Sequence, residues 1–147
     1  MDPLRIAEHL HGHLGWLAAV ALLHPAILLR NAKRKAHLSV ALAALVVTAV
    51  GAIGVAMYTA YRAKLKQSIF QNAPAVGFLF ERKEHLAFGA IFLTWAGALV
   101  YVAAIRTGDD RALLALRKAA WWAFVAAAVL ATATAALGTV VAVYKTF

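Results

Sequence analysis

No cysteine occurs in the chain, which excludes disulfides, iron–sulfur clusters, thiol catalysis and covalent c-type haem attachment. Charge is scarce too: Asp, Glu, Lys and Arg together make up 14% of the residues, and none falls deep inside an apolar run. That lack argues against a proton pump or ion-coupled transporter, which needs ionisable groups at membrane depth. It also removes the paired carboxylates of general acid–base catalysis. No glycine-rich phosphate loop is present, and no cluster has the spacing of a metal cage. The first residues do not read as a secretory leader. Asp2, Arg5 and Glu8 stand where a basic cluster would, and no small-residue cleavage site closes the first apolar run, so that run reads as a retained span.

What the chain does have is apolar length. Hydrophobic residues make up 64% of it, more than a water-soluble domain of 147 residues accommodates. Four runs, 12–29, 38–61, 85–105 and 119–144, each approach the ~20 residues a helix needs to cross ~30 Å of hydrocarbon. Backbone in hydrocarbon must satisfy its own hydrogen bonds, so these spans are helices, and the alternating segments of a β-barrel are absent. The expected fold is all-α: a single transmembrane domain forming an integral membrane four-helix up-down bundle. The net charge of +9 is gathered in short clusters between the runs, where it suits anionic lipid headgroups and not nucleic acid.

The connections can be read from their composition. The basic stretch 30–36 is short and makes the first two spans antiparallel neighbours. In the third connection Gly108 is a helix stop, and Asp109 or Asp110 is a cap for the next helix, which continues in helical spacing through residues 111–118. The second connection, 62–84, mixes Lys64, Lys66, Arg82 and Lys83 with Leu65, Ile69, Phe70, Phe78 and Phe80. It is expected to lie along the membrane surface, broken at Pro74 and Gly77, or to fold over the bundle as a lid. The two short loops carry eight Lys or Arg (Arg30, Lys33, Arg34, Lys35, Arg106, Arg111, Arg117, Lys118), against seven on the opposite side (Arg5, Arg62, Lys64, Lys66, Arg82, Lys83, Lys145). The excess of one puts the short loops in the cytoplasm and both termini outside. Trp16, Tyr58, Tyr61, Trp121, Trp122 and Tyr144 lie near span ends, as an aromatic belt requires.

Histidine is the residue type that can carry chemistry. His13 and His24 are eleven residues apart, close to three turns, so they share a face and are offset by about 16 Å along the helix. His85 opens the third span at the level of His13. In an up-down bundle the first and third spans are diagonal, and imidazoles reaching inward from both can grip a flat ring, as a b-type haem is held. Gly51, Gly54 and Gly89 lie at that level and would let a planar cofactor approach the backbone; they serve close helix packing equally well. Arg62, Arg82 and Lys83 stand at the outer edge, where haem propionates would seek cations or where lipid headgroups would. At the inner end His24 and His37 flank the first loop. Pro25 should kink the span there, freeing the Ala21 carbonyl, which would open room for a second haem.

His13-Leu-Gly-Trp, Leu23-His-Pro-Ala, Lys35-Ala-His-Leu, Gly51-Ala-Ile-Gly54 and Glu84-His-Leu-Ala-Phe-Gly89 together resemble the four-helix membrane cytochromes b, including the cytochrome b561-like group and small bacterial relatives. The resemblance covers the first three spans. It implies bis-histidine haem b, one or two per chain, and electron exchange with quinone or a membrane redox complex in a bacterial inner (cytoplasmic) membrane. The metal ligands it implies are His13 and His85 for an outer haem, and His24 and His37 for an inner one. The chain departs from a symmetric two-haem pattern in having no histidine in the fourth span. The rival reading is a non-catalytic accessory subunit of a larger membrane complex or an oligomer. A third is a membrane enzyme or transporter of a lipid-like substrate with residues 62–84 as its lid, for which no catalytic constellation is found.

Overall fold

A computed structural model describes residues 3–31 and 34–144, with side chains from residue 6 onward. Asp2, Lys33, Lys145 and the Arg5 side chain, which enter the sequence reading of charge, lie outside the described part. Helix α1 spans Pro3–Leu29 and α2 spans His37–Tyr61. A π-helical turn, Arg62–Lys66, joins α2 to the short α3, Gln67–Asn72. Helix α4 spans Pro74–Arg106 and α5 spans Asp110–Val143.

The fold is an all-α four-helix up-down bundle, and its four long helices are each long and apolar enough to cross a membrane. α1 packs on α2 and α5, while α4 packs on α5 and on α2. This ring order makes α1 and α4 diagonal, as the short connections predict. The end that carries the 30–36 and 107–109 connections is called inner, and the opposite end outer.

Small residues on a helical repeat set the packing. On α4, Ala90, Thr94, Gly97, Ala98, Tyr101 and Ala104 are buried. On α5 the buried row is Arg117, Ala120, Phe124, Ala127, Ala128 and Ala131. Both rows advance mainly by three or four residues and so form one stripe per helix. In lipid no hydrophobic force pulls helices together, and close backbone approach with dense van der Waals contact replaces it. Leu22, Tyr101 and Phe124 are the large side chains that fill the centre. Threonines in the apolar runs return their hydroxyls to the carbonyl four residues back, as Thr94 does to Ala90 O at 2.7 Å and Thr132 to Ala128 O at 2.8 Å. Polar ties cross three interfaces: Trp16 Nε1 donates to Thr139 Oγ1 at 3.3 Å, Trp95 Nε1 to Thr48 Oγ1 at 3.0 Å, and His24 meets Ser39 Oγ at 2.9 Å.

The third connection behaves as expected, with Asp109 Oδ1 accepting from the Arg111 N–H at 2.9 Å as the cap of α5. The second differs from expectation. Residues 62–84 do not form a separate surface segment, because both flanking helices extend through them and only Ala73 lies between α3 and α4. Pro74 does divide the stretch as expected: the helix breaks at Ala73 and Pro74 starts α4, where its missing N–H costs nothing. Gly77 does not break the helix. It is a notch for Phe70, whose ring would stand 2.8–2.9 Å from an added Cβ. Tyr61 and Phe80 stack at 3.9 Å with an 11° tilt, and Lys66 pairs with Glu81 at 3.0 Å. The result is a small second core of Tyr61, Ile69, Val76, Phe80 and Val141 at the outer end. α4, with 33 residues, is about 50 Å long, so part of it projects beyond the hydrocarbon.

Candidate functional site

The sequence-predicted ligands are distributed over the flanks of the bundle. His13 is exposed on α1 and His85 is exposed on α4. The His85 Nδ1–H donates to Glu81 O at 2.8 Å, one turn back on its own helix. His24 and His37 are also exposed, and they lie on opposite flanks of α2. His24 Nδ1 meets Ser39 at the α1–α2 contact, whereas His37 Nδ1 lies 3.4 Å from the Tyr101 hydroxyl at the α2–α4 contact. The face shared by His13 and His24 therefore does not open onto the centre, which Leu22, Tyr101 and Phe124 occupy.

The glycines singled out in the sequence each accommodate a neighbouring side chain. Gly51 lies under Ile91 of α4, whose Cδ1 would stand 2.8 Å from an added Cβ. Gly54 receives the ring of His11, with Cε1 at 3.1 Å, and Gly89 lies against Leu130 of α5 at 3.0 Å. His11 points away from the His9–His13 face, as helical spacing requires, and this direction carries it onto α2. At the outer end the Arg62 guanidinium sits 5.9 Å from the Tyr58 ring centre, Lys83 sits 4.4 Å above Phe80, and Arg82 is exposed. Among the described residues no group of three or more His, Asp or Glu is placed to hold a metal ion.

One histidine does border a cavity. Between α2 and α4 runs an apolar groove of about 450 Å³, with His37 and Tyr101 toward its inner end and Thr48 and Trp95 farther along. Of its lining, Val40, Ala44 and Ala98 are buried and form the floor, whereas Ala41, Leu45, Val102 and Ile105 are exposed along its rims. A mostly apolar groove of this size with a few converging polar groups is the usual form of a cofactor site. The His37 ring lies 5.5 Å from that of Tyr101. Tyr101 is 1% exposed, and its hydroxyl also accepts the Ala36 N–H at 3.0 Å, at the start of α2. The hydroxyl therefore fixes both the entry of α2 and the nitrogen by which His37 is held, so that Nε2 is the ring nitrogen left for a ligand.

Tyr101→Phe removes that acceptor and leaves a buried N–H unpaired. We expect a loss of about 1–3 kcal/mol of bundle stability, and faster amide exchange at residues 36–37 than in the unsubstituted protein. Unchanged exchange there would show that the hydroxyl does not hold the start of α2.

Sequence reasoning passed over Tyr101 and treated Arg117 as one of several loop cations. Both stand in the buried rows of their helices, Tyr101 three residues after Ala98 and Arg117 three before Ala120. That spacing is the signal that would have found them. Arg117 is 6% exposed, and its guanidinium donates to Asn31 O at 2.9 Å and Arg34 O at 3.1 Å. It thereby ties α5 to the first connection. No protein-family model, curated protein or solved structure matches this chain.

Proposed function

We propose that the protein is a membrane electron-transfer protein that binds one b-type haem against the α2–α4 groove, where His37 is the residue that would hold the group. The observation that carries this reading is an imidazole, oriented through Nδ1, bordering a groove of about 450 Å³ with a small-residue floor. His37 would hold the iron through Nε2, Ala41, Ala44 and Ala98 would lie beside the group, and the start of α2 and the end of α4 supply Lys35 and Arg106 as cations for propionates. The cofactor supplies one-electron chemistry. The chain's own residues set the ring orientation, and the apolar walls limit water. Quinone or a membrane redox complex is the proposed electron partner, and a bacterial inner membrane with the short basic loops inside is the proposed setting.

The test is the absorption spectrum of the purified protein before and after dithionite reduction. A reducible Soret band that is lost in His37→Ala but retained in His13→Ala and His85→Ala is the expected result. Loss in His13→Ala or His85→Ala with retention in His37→Ala would move the site to the outer pair and overturn the groove assignment. A colourless protein would overturn the haem altogether.

A second reading, an accessory subunit of a larger membrane complex, is favoured by a separate observation. Gly51, Gly54 and Gly89 are already occupied by Ile91, His11 and Leu130, which is what a purely packed scaffold requires. Co-purification of a colourless chain with larger subunits would support it.

A further inference from the structure

Beside the inner end of α1, a second cavity of about 310 Å³ opens between α1 and the first turns of α5. Its lining is Leu29, Arg30, Leu114, Arg117, Lys118 and Trp121. Half of these residues are cations and none is acidic. Arg30 and Lys118 are exposed, whereas Arg117 is 6% exposed. The Arg117 terminal nitrogen is engaged by two loop carbonyls, but its Nε is buried with no hydrogen-bond partner. On its other side the guanidinium faces the Tyr101 ring at 5.8 Å. A permanent charge is thus withdrawn from water with neutral acceptors and a ring around it, and an anion is the group that would complete its shell.

We propose that this cavity binds the phosphate of an anionic lipid headgroup. The charge favours a phosphate, and the remaining lining favours a lipid over a free ion. Leu29 and Leu114 give the cavity apolar walls, and Trp121 places it at the level where indole rings meet headgroups. Basic pockets between membrane helices at the inner face take anionic headgroups through this combination. The acidic residues at that end, Asp109 and Asp110, sit at the start of α5, about 10 Å or more along the axis from Arg117, and do not line the cavity.

The test uses the full chain, delipidated in neutral detergent, with phosphatidylglycerol, phosphatidylcholine or inorganic phosphate added, and reads bound lipid by native mass spectrometry and thermal stability by melting. Phosphatidylglycerol should be retained at least tenfold better than phosphatidylcholine and should raise the melting temperature. Arg30→Gln with Lys118→Gln should abolish the preference while melting as the parent does in detergent alone. Because Arg117→Gln disturbs the first connection, the exposed pair carries the comparison. Arg34→Gln with Arg111→Gln, which removes two exposed cations from the same end outside the cavity, should leave the preference intact. Equal loss in that control would show general surface attraction and overturn the site. Stabilisation by inorganic phosphate at the same concentration as phosphatidylglycerol would overturn the lipid assignment.

Discussion

Replacing Phe124 with alanine should weaken the bundle by about 2–3 kcal/mol, measured by unfolding in mixed micelles. Phe124 is completely buried, and its ring faces Gly97 of α4 across the most extensive helix contact in the molecule. In a water-soluble core such a truncation costs about 3–5 kcal/mol, a sum of lost transfer free energy and the cavity left behind. Here the transfer part is largely absent, because the ring of an unfolded but inserted chain rests in lipid and not in water. What remains is lost contact around a void that the surrounding alanines cannot close. A change within a few tenths of a kcal/mol would mean that the two helices settle together over the gap.

Gly97→Leu approaches the same contact from the other side and should cost about 3 kcal/mol, the upper end of ordinary overpacking. An added Cβ alone would stand 3.1 Å from Ala123 Cβ and 3.1–3.2 Å from two carbons of the Phe124 ring. The rest of a leucine side chain has no direction left except into α5, so the two helices must part. The two substitutions are not independent. With the ring removed the leucine has somewhere to go, and the double variant should be more stable than the sum of the single losses predicts, by about 1 kcal/mol or more. Strict additivity would show that Phe124 and Gly97 are not a packing pair.

The bilayer-length runs were plain in the sequence because hydrocarbon thickness fixes how long an apolar helix must be. The ring order of the helices followed from the shortness of the 30–36 and 107–109 connections. Helix ends outside the hydrocarbon were less legible. Residues 62–84 carry charges among aromatics, a pattern shared by a surface segment and by helices that outrun the membrane, and the contacts that decide between them, Tyr61 on Phe80 and Phe70 on Phe78, exist only once the stretch has folded back on itself. The candidate site was legible in residue type and depth but not in direction. Helical spacing separates His11 from His13, yet it cannot say which face α1 turns toward α2. That rotation puts the His11 ring over Gly54. The buried positions of Tyr101 and Arg117 were readable from the same three-and-four spacing as their alanine neighbours, but polar side chains near span ends read first as interfacial.

The π-helical turn Arg62–Lys66 sets the phase of α3 and of its contacts with α4. Its wider winding takes in one residue beyond what a regular helix would, so everything downstream is rotated by about 100° from the course of α2. Ile69 meets Phe80 and Val141 only in that rotated frame. Single-residue length changes, which an ordinary loop tolerates, would here act like turning a key: a residue added after Ala63 would swing Ile69 off its neighbours without altering a single side chain in the outer core, whereas deleting Ala63 would close the turn into regular helix and leave Ile69 in place.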